Sequence, residues 1–220
     1  MFYQSKFNGD ISKWDVHNVT TFDSMFRESL FTGDISNWDV SSVFDMSYMF
    51  AECHFNGDIS KWNVSHVLEM QYMFSGNPVF NGDISKWNIK RVGTMEGMFD
   101  CTKFNSDISK WNVSCVRHMS KMFNESEFNG DISNWNVSNV KEMSAMFKKS
   151  KFTGDISKWN VSNVEDISSM FELSEFGGDL SKWQLNSVET LKDMFSDNKA
   201  QICTLDPIQN NFMQLCNDAQ

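Results

Sequence analysis

The sequence predicts an α/β solenoid, in which each repeat of about 24 residues contributes one short parallel strand and one short helix or helical turn. The first observation behind this prediction is the spacing of the tryptophans, which recur every 24 residues with a single step of 25. A fixed period of this length is typical of stacked supersecondary units. The second is a change of apolar spacing, from alternation to helical, inside each period. The tryptophans are Trp14, Trp38, Trp62, Trp87, Trp111, Trp135, Trp159 and Trp183.

Each unit begins at a phenylalanine and reads F-N-G-D-I-S-K-W-N-V-S-N-V-x-x-M-x-x-M-F-x-x-S-x. Residues 1–6 match the tail of a preceding repeat, and residues 7–199 hold eight repeats. The abrupt start indicates a piece of a longer array, with a natural start as the alternative. Residues 200–220 predict a C-terminal cap with a short helix, because Asp206-Pro207 offers an N-cap followed by proline.

The expected strand is Ile-Ser-Lys-Trp-Asn-Val, where Trp and Val point to one side and Lys and Asn to the other. Val140, Met143, Met146 and Phe147 follow at helical spacing and predict the short helix. Trp and Met columns at these spacings are expected in the core, with a sugar-stacking Trp ladder as the alternative. The predicted core positions are Trp62, Trp87, Trp111, Trp135, Met122, Phe123, Met146 and Phe147.

The composition narrows the possible functions. A net charge of −10 with three arginines argues against nucleic-acid binding, which needs clustered basic residues. No apolar run of about 18 residues occurs, so direct membrane insertion of this segment is not expected. The five cysteines are expected to be reduced, although Cys203 and Cys216 flank the cap and are candidates for pairing.

One column of the repeat carries an aspartate in every unit. Stacked carboxylates repel one another unless they are compensated. We expect each to accept backbone N–H groups in an Asx turn. Calcium between repeats is the weaker alternative, at Asp58, Asp83, Asp107 and Asp131, because calcium needs several oxygens for each ion. No metal site is therefore predicted.

The column after tryptophan is rich in asparagine, which can form a side-chain amide ladder. Together with the neighbouring lysines it forms the predicted polar face of the sheet, which is either a self-satisfied ladder or a ligand-binding surface. The candidate ligand-binding residues are Asn63, Asn88, Asn112, Asn136, Asn160, Lys61, Lys86, Lys110 and Lys158.

No catalytic constellation is visible. His17, His54, His66 and His118 fall in four different columns without metal-ligand spacing. The sequence has no glycine-rich phosphate loop and no nucleophile elbow. We therefore expect a protein that is not an enzyme and that needs no cofactor.

The spacing Ile-x-x-Trp-x-Val-x-x-Val resembles the strand segment of leucine-rich repeats, and its continuation resembles the BspA-type branch, with Cys53 at that branch's cysteine position. The whole unit is similar to F-N-x-D-I-S-x-W-D-V-S-x-V-x-x-M-x-x-M-F, the repeat of mycoplasma and listerial lipoprotein-type surface proteins, from Phe7 to about Lys199. The resemblance implies a right-handed, leucine-rich-repeat-like coil with strands on the concave side, displayed on cell surfaces and linked to adhesion.

We therefore expect a non-enzymatic scaffold, displayed on the cell surface or secreted, that binds a protein or a glycan. The alternative is a structural spacer or self-assembly module that associates through the uncapped N-terminal rung. A cytoplasmic location is the alternative to surface display, because this chain shows no signal peptide.

Overall fold

The computed structural model describes residues 1–198, so the cap expected at 200–220 lies outside the described residues. Successive repeats are joined by single parallel bridges between residues one period apart, which keeps equivalent residues of neighbouring repeats side by side. The bridges are Thr21↔Asp45, Asp45↔Glu69, Glu69↔Thr94, Thr94↔His118, His118↔Glu142, Glu142↔Asp166 and Asp166↔Thr190. Residues at equivalent positions of successive repeats therefore form continuous rows along the stack.

After each bridge comes a segment of overlapping turns, and residues 1–198 contain no longer strand and no helix. The turn segments are 23–28, 47–52, 71–76, 96–101, 120–125, 144–149, 168–173 and 192–197. The helix expected from the Val, Met and Phe spacing falls on these segments. The solenoid class and its handedness stay predictions.

Backbone hydrogen bonds explain why this segment holds its shape. From Met119 to Glu125, every second residue donates its N–H to the next repeat, as Lys121 does to the Ser144 carbonyl oxygen at 2.9 Å. Between them, Met122 and Asn124 donate within their own repeat, as Asn124 does to the Lys121 carbonyl oxygen at 3.1 Å. Two of these seven amide groups therefore close turns, and four tie the repeats together.

Two residues in every turn segment have positive φ and lie four positions apart, as Lys121 (58°) and Glu125 (51°) do. A right-handed helix cannot continue through a left-handed residue, so each turn closes separately. Most of these residues are not glycine. Each therefore carries a local backbone cost that the hydrogen bonds between repeats offset.

The segment expected to be the strand also closes a turn. The Trp111 N–H donates to the Ile108 carbonyl oxygen at 3.1 Å, and the Val116 N–H donates to the Val113 carbonyl oxygen at 2.9 Å. The parallel bridge of this repeat lies further along the chain, at His118. The residues around tryptophan thus form two turns.

The core is a continuous row of stacked aromatic rings. The Phe99 ring lies 4.0 Å from that of Phe104, 5.9 Å from that of Phe123 in the next repeat, and 6.4 Å from that of Trp111, centroid to centroid. The eight core positions named from the sequence are between 0 and 4% exposed. In contrast, Trp14 in the first repeat is 42% exposed.

The one repeat of 25 residues is accommodated by Asn77. In most repeats a serine stands at this position, and the Ser126 hydroxyl accepts the Phe128 N–H at 3.0 Å. The longer Asn77 side chain accepts the N–H groups of both Val79 and Phe80 and donates to the Phe55 carbonyl oxygen at 3.0 Å. The inserted residue therefore leaves the register of the stack unchanged.

Candidate functional site

The aspartate column forms the turns expected from the sequence. In all eight repeats Asp Oδ1 accepts the N–H of the serine two residues later, at 2.8–3.0 Å. At Asp131 the Ser133 N–H, followed by the Ser133 hydroxyl, lowers the pKa of the carboxyl, while Asp107 and Asp155 oppose this shift. These carboxylates are exposed and engaged in local turns, including those of the calcium alternative, Asp58, Asp83, Asp107 and Asp131.

The predicted asparagine column has the same local role. Oδ1 of Asn63, Asn112, Asn136 and Asn160 accepts the N–H of the serine two residues later, at 3.1–3.2 Å. Asn88 accepts the Lys90 N–H at 3.4 Å. All five side chains are exposed, as are Lys61, Lys86, Lys110 and Lys158. We call the surface formed by Asp107, Lys110, Asn112 and their equivalents the turn face.

An asparagine ladder does exist, but in a different column. The Asn105 N–H donates to Asn81 Oδ1 of the preceding repeat at 2.9 Å, and the Asn129 N–H donates to Asn105 Oδ1 at 2.9 Å. These are the asparagines that follow the first phenylalanine of each unit. The sequence did not distinguish this column from the one after tryptophan, because both repeat with the same period.

One part of the turn face brings predicted residues together. Lys158 and Asn160 line a shallow depression with Lys182 and Gln184 of the next repeat. The structure thus places two of the candidate ligand-binding residues on one surface. Every repeat offers nearly the same groups there, apart from Gln184 at the C-terminal end.

A second surface, which is partly exposed and partly buried, changes from repeat to repeat. It consists of Ser120, Lys121, Asn124, Glu125 and their equivalents, and we call it the ladder face because the backbone ladder between repeats runs beneath it. The column of Lys121 shows the variation most clearly. Its members are Ser24, Tyr48, Tyr72, Gly97, Lys121, Ala145, Ser169 and Asp193.

The N-terminal part of the ladder face is aromatic. The Tyr48 and Tyr72 rings stack with centroids 5.0 Å apart and planes 9° from parallel. The Arg27 guanidinium lies 5.0 Å from the Tyr48 ring centroid and 5.7 Å from that of Tyr3. The geometry is that of cation–π contacts. Arg27 thus links the Tyr48–Tyr72 stack to the Tyr3 ring.

Gly97 and Glu96 fix the far end of this stack. A Cβ atom on Gly97 would lie 2.2 Å from Cε1 of Tyr72, so the ring occupies the space that any other residue would need. The Tyr72 hydroxyl donates to Glu96 Oε1 at 2.7 Å. Burial, followed by this carboxylate, raises the pKa of the Tyr72 phenol, which therefore stays protonated as a hydrogen-bond donor.

The C-terminal part of the ladder face is a shallow depression. Its lining consists of small residues and of longer polar ones. The small residues are Ser144, Ala145, Ser168 and Ser169, and the longer ones are Lys121, Asn124, Glu125, Lys148 and Lys149. Lys148 pairs with Glu172 at 2.8 Å, and Lys149 pairs with Glu125 at 2.8 Å. The depression occurs where the column that holds Tyr48 and Tyr72 carries alanine and serine instead.

Two histidines and two cysteines of residues 1–198 have acidic or buried surroundings. His17 pairs with Asp15, which raises the pKa of the imidazole, and His118 pairs with Glu142 at 3.3 Å. Burial and then Asp100 raise the pKa of the Cys101 thiol to about 12, and burial raises that of Cys53 to about 11. Both thiols are therefore poor nucleophiles at neutral pH.

The described part of the chain holds no group of three or more His, Cys, Asp or Glu side chains arranged to hold a metal ion. None of its elements is a helix with the length and apolar character needed to cross a bilayer.

The architecture defines a repeat protein whose units share a core and differ on one exposed face. Residues 1–54, 29–127 and 96–206 each match the family described as "Mycoplasma protein of unknown function, DUF285", and the chain belongs to this family. No curated protein and no solved structure matches the chain.

Proposed function

We propose that this chain is a non-enzymatic scaffold, displayed on the cell surface and used in adhesion, that binds a protein or a glycan through its ladder face. The observation that carries the proposal is the contrast between two sets of exposed residues. The turn face carries Asp in all eight units, Lys in six and Asn in five, whereas the ladder face presents tyrosines, charges and small residues in an order that never repeats.

This contrast has a physical basis. On the turn face, the aspartates and asparagines hold the turns of their own repeats, so their uniformity follows from folding alone. On the ladder face, the backbone makes the repeating bonds between repeats, and the side chains form contacts that differ from one repeat to the next, as Tyr72 does with Glu96 and Lys149 with Glu125. A specific partner needs a surface that differs along its length, and aromatic residues with arginine are the usual centres of binding energy.

We further propose that the repeats form a right-handed solenoid related to the BspA-type leucine-rich repeats. The parallel bridges one period apart support a continuous coil, because each repeat then contacts mainly its neighbours. A crystal structure of the chain tests this proposal, and a left-handed or interrupted coil would contradict it.

The binding experiment compares variants on the two faces. Tyr48→Ser places on the ladder face a residue that this column already holds at Ser24 and Ser169, so we expect the fold to be retained. Asn112→Ala with Asn136→Ala alters the turn face. We expect Tyr48→Ser to weaken binding to an array of immobilised surface proteins and glycans, and the asparagine variant to leave it unchanged. The opposite pattern would place recognition on the turn face.

Surface display has its own test. Protease treatment of intact source cells should remove the repeat if it is displayed. Protection in intact cells, with cleavage after lysis, would contradict display and favour an intracellular spacer.

A further inference from the structure

The ladder face carries a ridge and a depression at different heights of the same stack. The ridge is formed by Tyr48 and Tyr72, whose rings stack on each other and are only part-buried. The depression lies three to five repeats further along, around Ala145 and Ser169. The ridge and the floor of the depression are made by one column, so they lie on one line along the stack.

The two features differ in their balance of charge. Arg27 stacks on Tyr48, but Glu52, Glu96 and Asp100 give the ridge an acidic excess. The Glu52 carboxylate lies directly over Gly76, where an added Cβ would be 2.7 Å from it. The acidic groups of the ridge therefore stand on the same surface as the tyrosines.

Three lysines, Lys121, Lys148 and Lys149, line the depression. Glu125 and Glu172 pair with Lys149 and Lys148 inside the same molecule, so the depression is mixed in charge, with a basic excess from its lysines. An aromatic ridge with an acidic excess complements this basic excess in charge.

We propose that the partner of the ladder face is a second copy of this chain, packed face to face with its stack running in the opposite direction. This inference rests on the proposed role of the ladder face in recognition. A two-fold axis across the stack places the tyrosine ridge of each copy in the depression of the other. The contact is therefore made twice, as an isologous dimer requires.

Two variants remove one feature each with residues that the column already tolerates. Tyr72→Ser deletes the ridge, and Ala145→Tyr fills the depression. The control, Asn112→Ala, lies on the turn face. Circular dichroism and the urea midpoint of each variant establish that it is folded before its mass is measured by light scattering over a dilution series.

We expect a wild-type and an Asn112→Ala chain of dimeric mass, with the dimer dissociation constant raised at least about tenfold in Tyr72→Ser and in Ala145→Tyr. An equimolar mixture of the two variants should recover a weaker heterodimer, because the intact depression of one accepts the intact ridge of the other.

A monomeric wild-type chain up to its solubility limit would overturn the proposal, as would dimers that survive both substitutions. A failed mixture with folded, monomeric components would overturn the two-fold arrangement. The ligand array with Tyr48→Ser is a separate experiment. If the wild-type chain is a monomer but Tyr48→Ser still weakens binding on the array, only self-association is refuted and the proposed role of the ladder face stands.

Discussion

Trp111 Nε1 donates a hydrogen bond of 3.0 Å to the carbonyl oxygen of Ile84, which lies in the preceding repeat. The same bond joins tryptophan to isoleucine at every described junction between repeats, at 3.0–3.2 Å. The indole ring is 4% exposed, so one side chain fills the core and pairs a buried carbonyl group. Tryptophan is the aromatic residue that does both, because phenylalanine has no N–H donor.

Trp111→Ala should lower the free energy of unfolding by about 3–5 kcal/mol, since it leaves a large cavity. Trp111→Phe should cost less than alanine, because it keeps most of the apolar area but leaves the Ile84 carbonyl oxygen unpaired, at about 1–3 kcal/mol. Urea unfolding followed by circular dichroism measures both. An alanine variant of wild-type stability would mean that the ring is not part of the core.

Replacing one turn aspartate by asparagine should make the free energy of unfolding depend less on pH in the acidic range. Hydrogen bonds from Ser133 lower the pKa of Asp131 below its value in the unfolded chain. The stability that the ionised Asp131 carboxylate contributes is therefore complete above the unfolded-chain pKa of about 3.9, and it is lost as the pH falls through the lower pKa of the folded chain. Asp131→Asn should keep the turn, as Asn112 does at 3.1 Å, and flatten the stability curve below about pH 4.

The reciprocal variant, Asn136→Asp, provides the matched control. It adds a carboxylate to an equivalent turn, as at Asp39, where Ser41 lowers the pKa. The acid dependence of its urea midpoint should be steeper than that of the wild type. Identical pH profiles for both variants would refute the role assigned to these turns.

Gly97→Ala should destabilise the chain by about 1–3 kcal/mol, because the new methyl group collides with the Tyr72 ring and Gly97 has positive φ. Gly93→Ala is the control, since its Cβ would meet only the Leu68 carbonyl oxygen at 3.8 Å, and we expect a change below about 0.5 kcal/mol. In a Tyr72→Ser background the cost at Gly97 should shrink, and a full double-mutant cycle measures the coupling. Additive effects would show that the ring does not depend on this glycine.

Ala145→Gly should stabilise the chain by up to about 1 kcal/mol. Ala145 has a φ of 54°, a conformation that costs an L-residue more than glycine loses in entropy. Ala51 in repeat two has no positive φ, so Ala51→Gly should instead destabilise by about 1 kcal/mol. Thermal unfolding of the two variants compares them directly, and the same sign of change at both sites would contradict the assigned geometry.

The sequence predicted the composition of the core because buried columns tolerate little variation. Phe123, Met146 and Trp111 recur with the period, and all are buried. It also predicted the aspartate turns, since the Asp-x-Ser spacing is sufficient for a local hydrogen bond. In both cases the governing interaction is either a column of identical residues or a contact between near neighbours in the chain.

The left-handed residues gave a much weaker signal. Lys121 and Glu125 adopt positive φ without being glycine, and only Gly76 and Gly97 mark these positions by type. The spacing of Val140, Met143, Met146 and Phe147 suits a helix and a run of tight turns equally well. The ladder face could not be predicted for a related reason. Its columns change from repeat to repeat, so they have no place in the consensus.

The most direct test of recognition through the ladder face is photo-crosslinking in source cells, with a benzophenone amino acid in place of one lysine of repeat five. Lys121 lies on the ladder face and Lys110 on the turn face, and both side chains are exposed. We expect a discrete crosslinked product from position 121, to a second copy or to another partner, and none from position 110. Products from position 110 alone would contradict the assignment of the recognition surface.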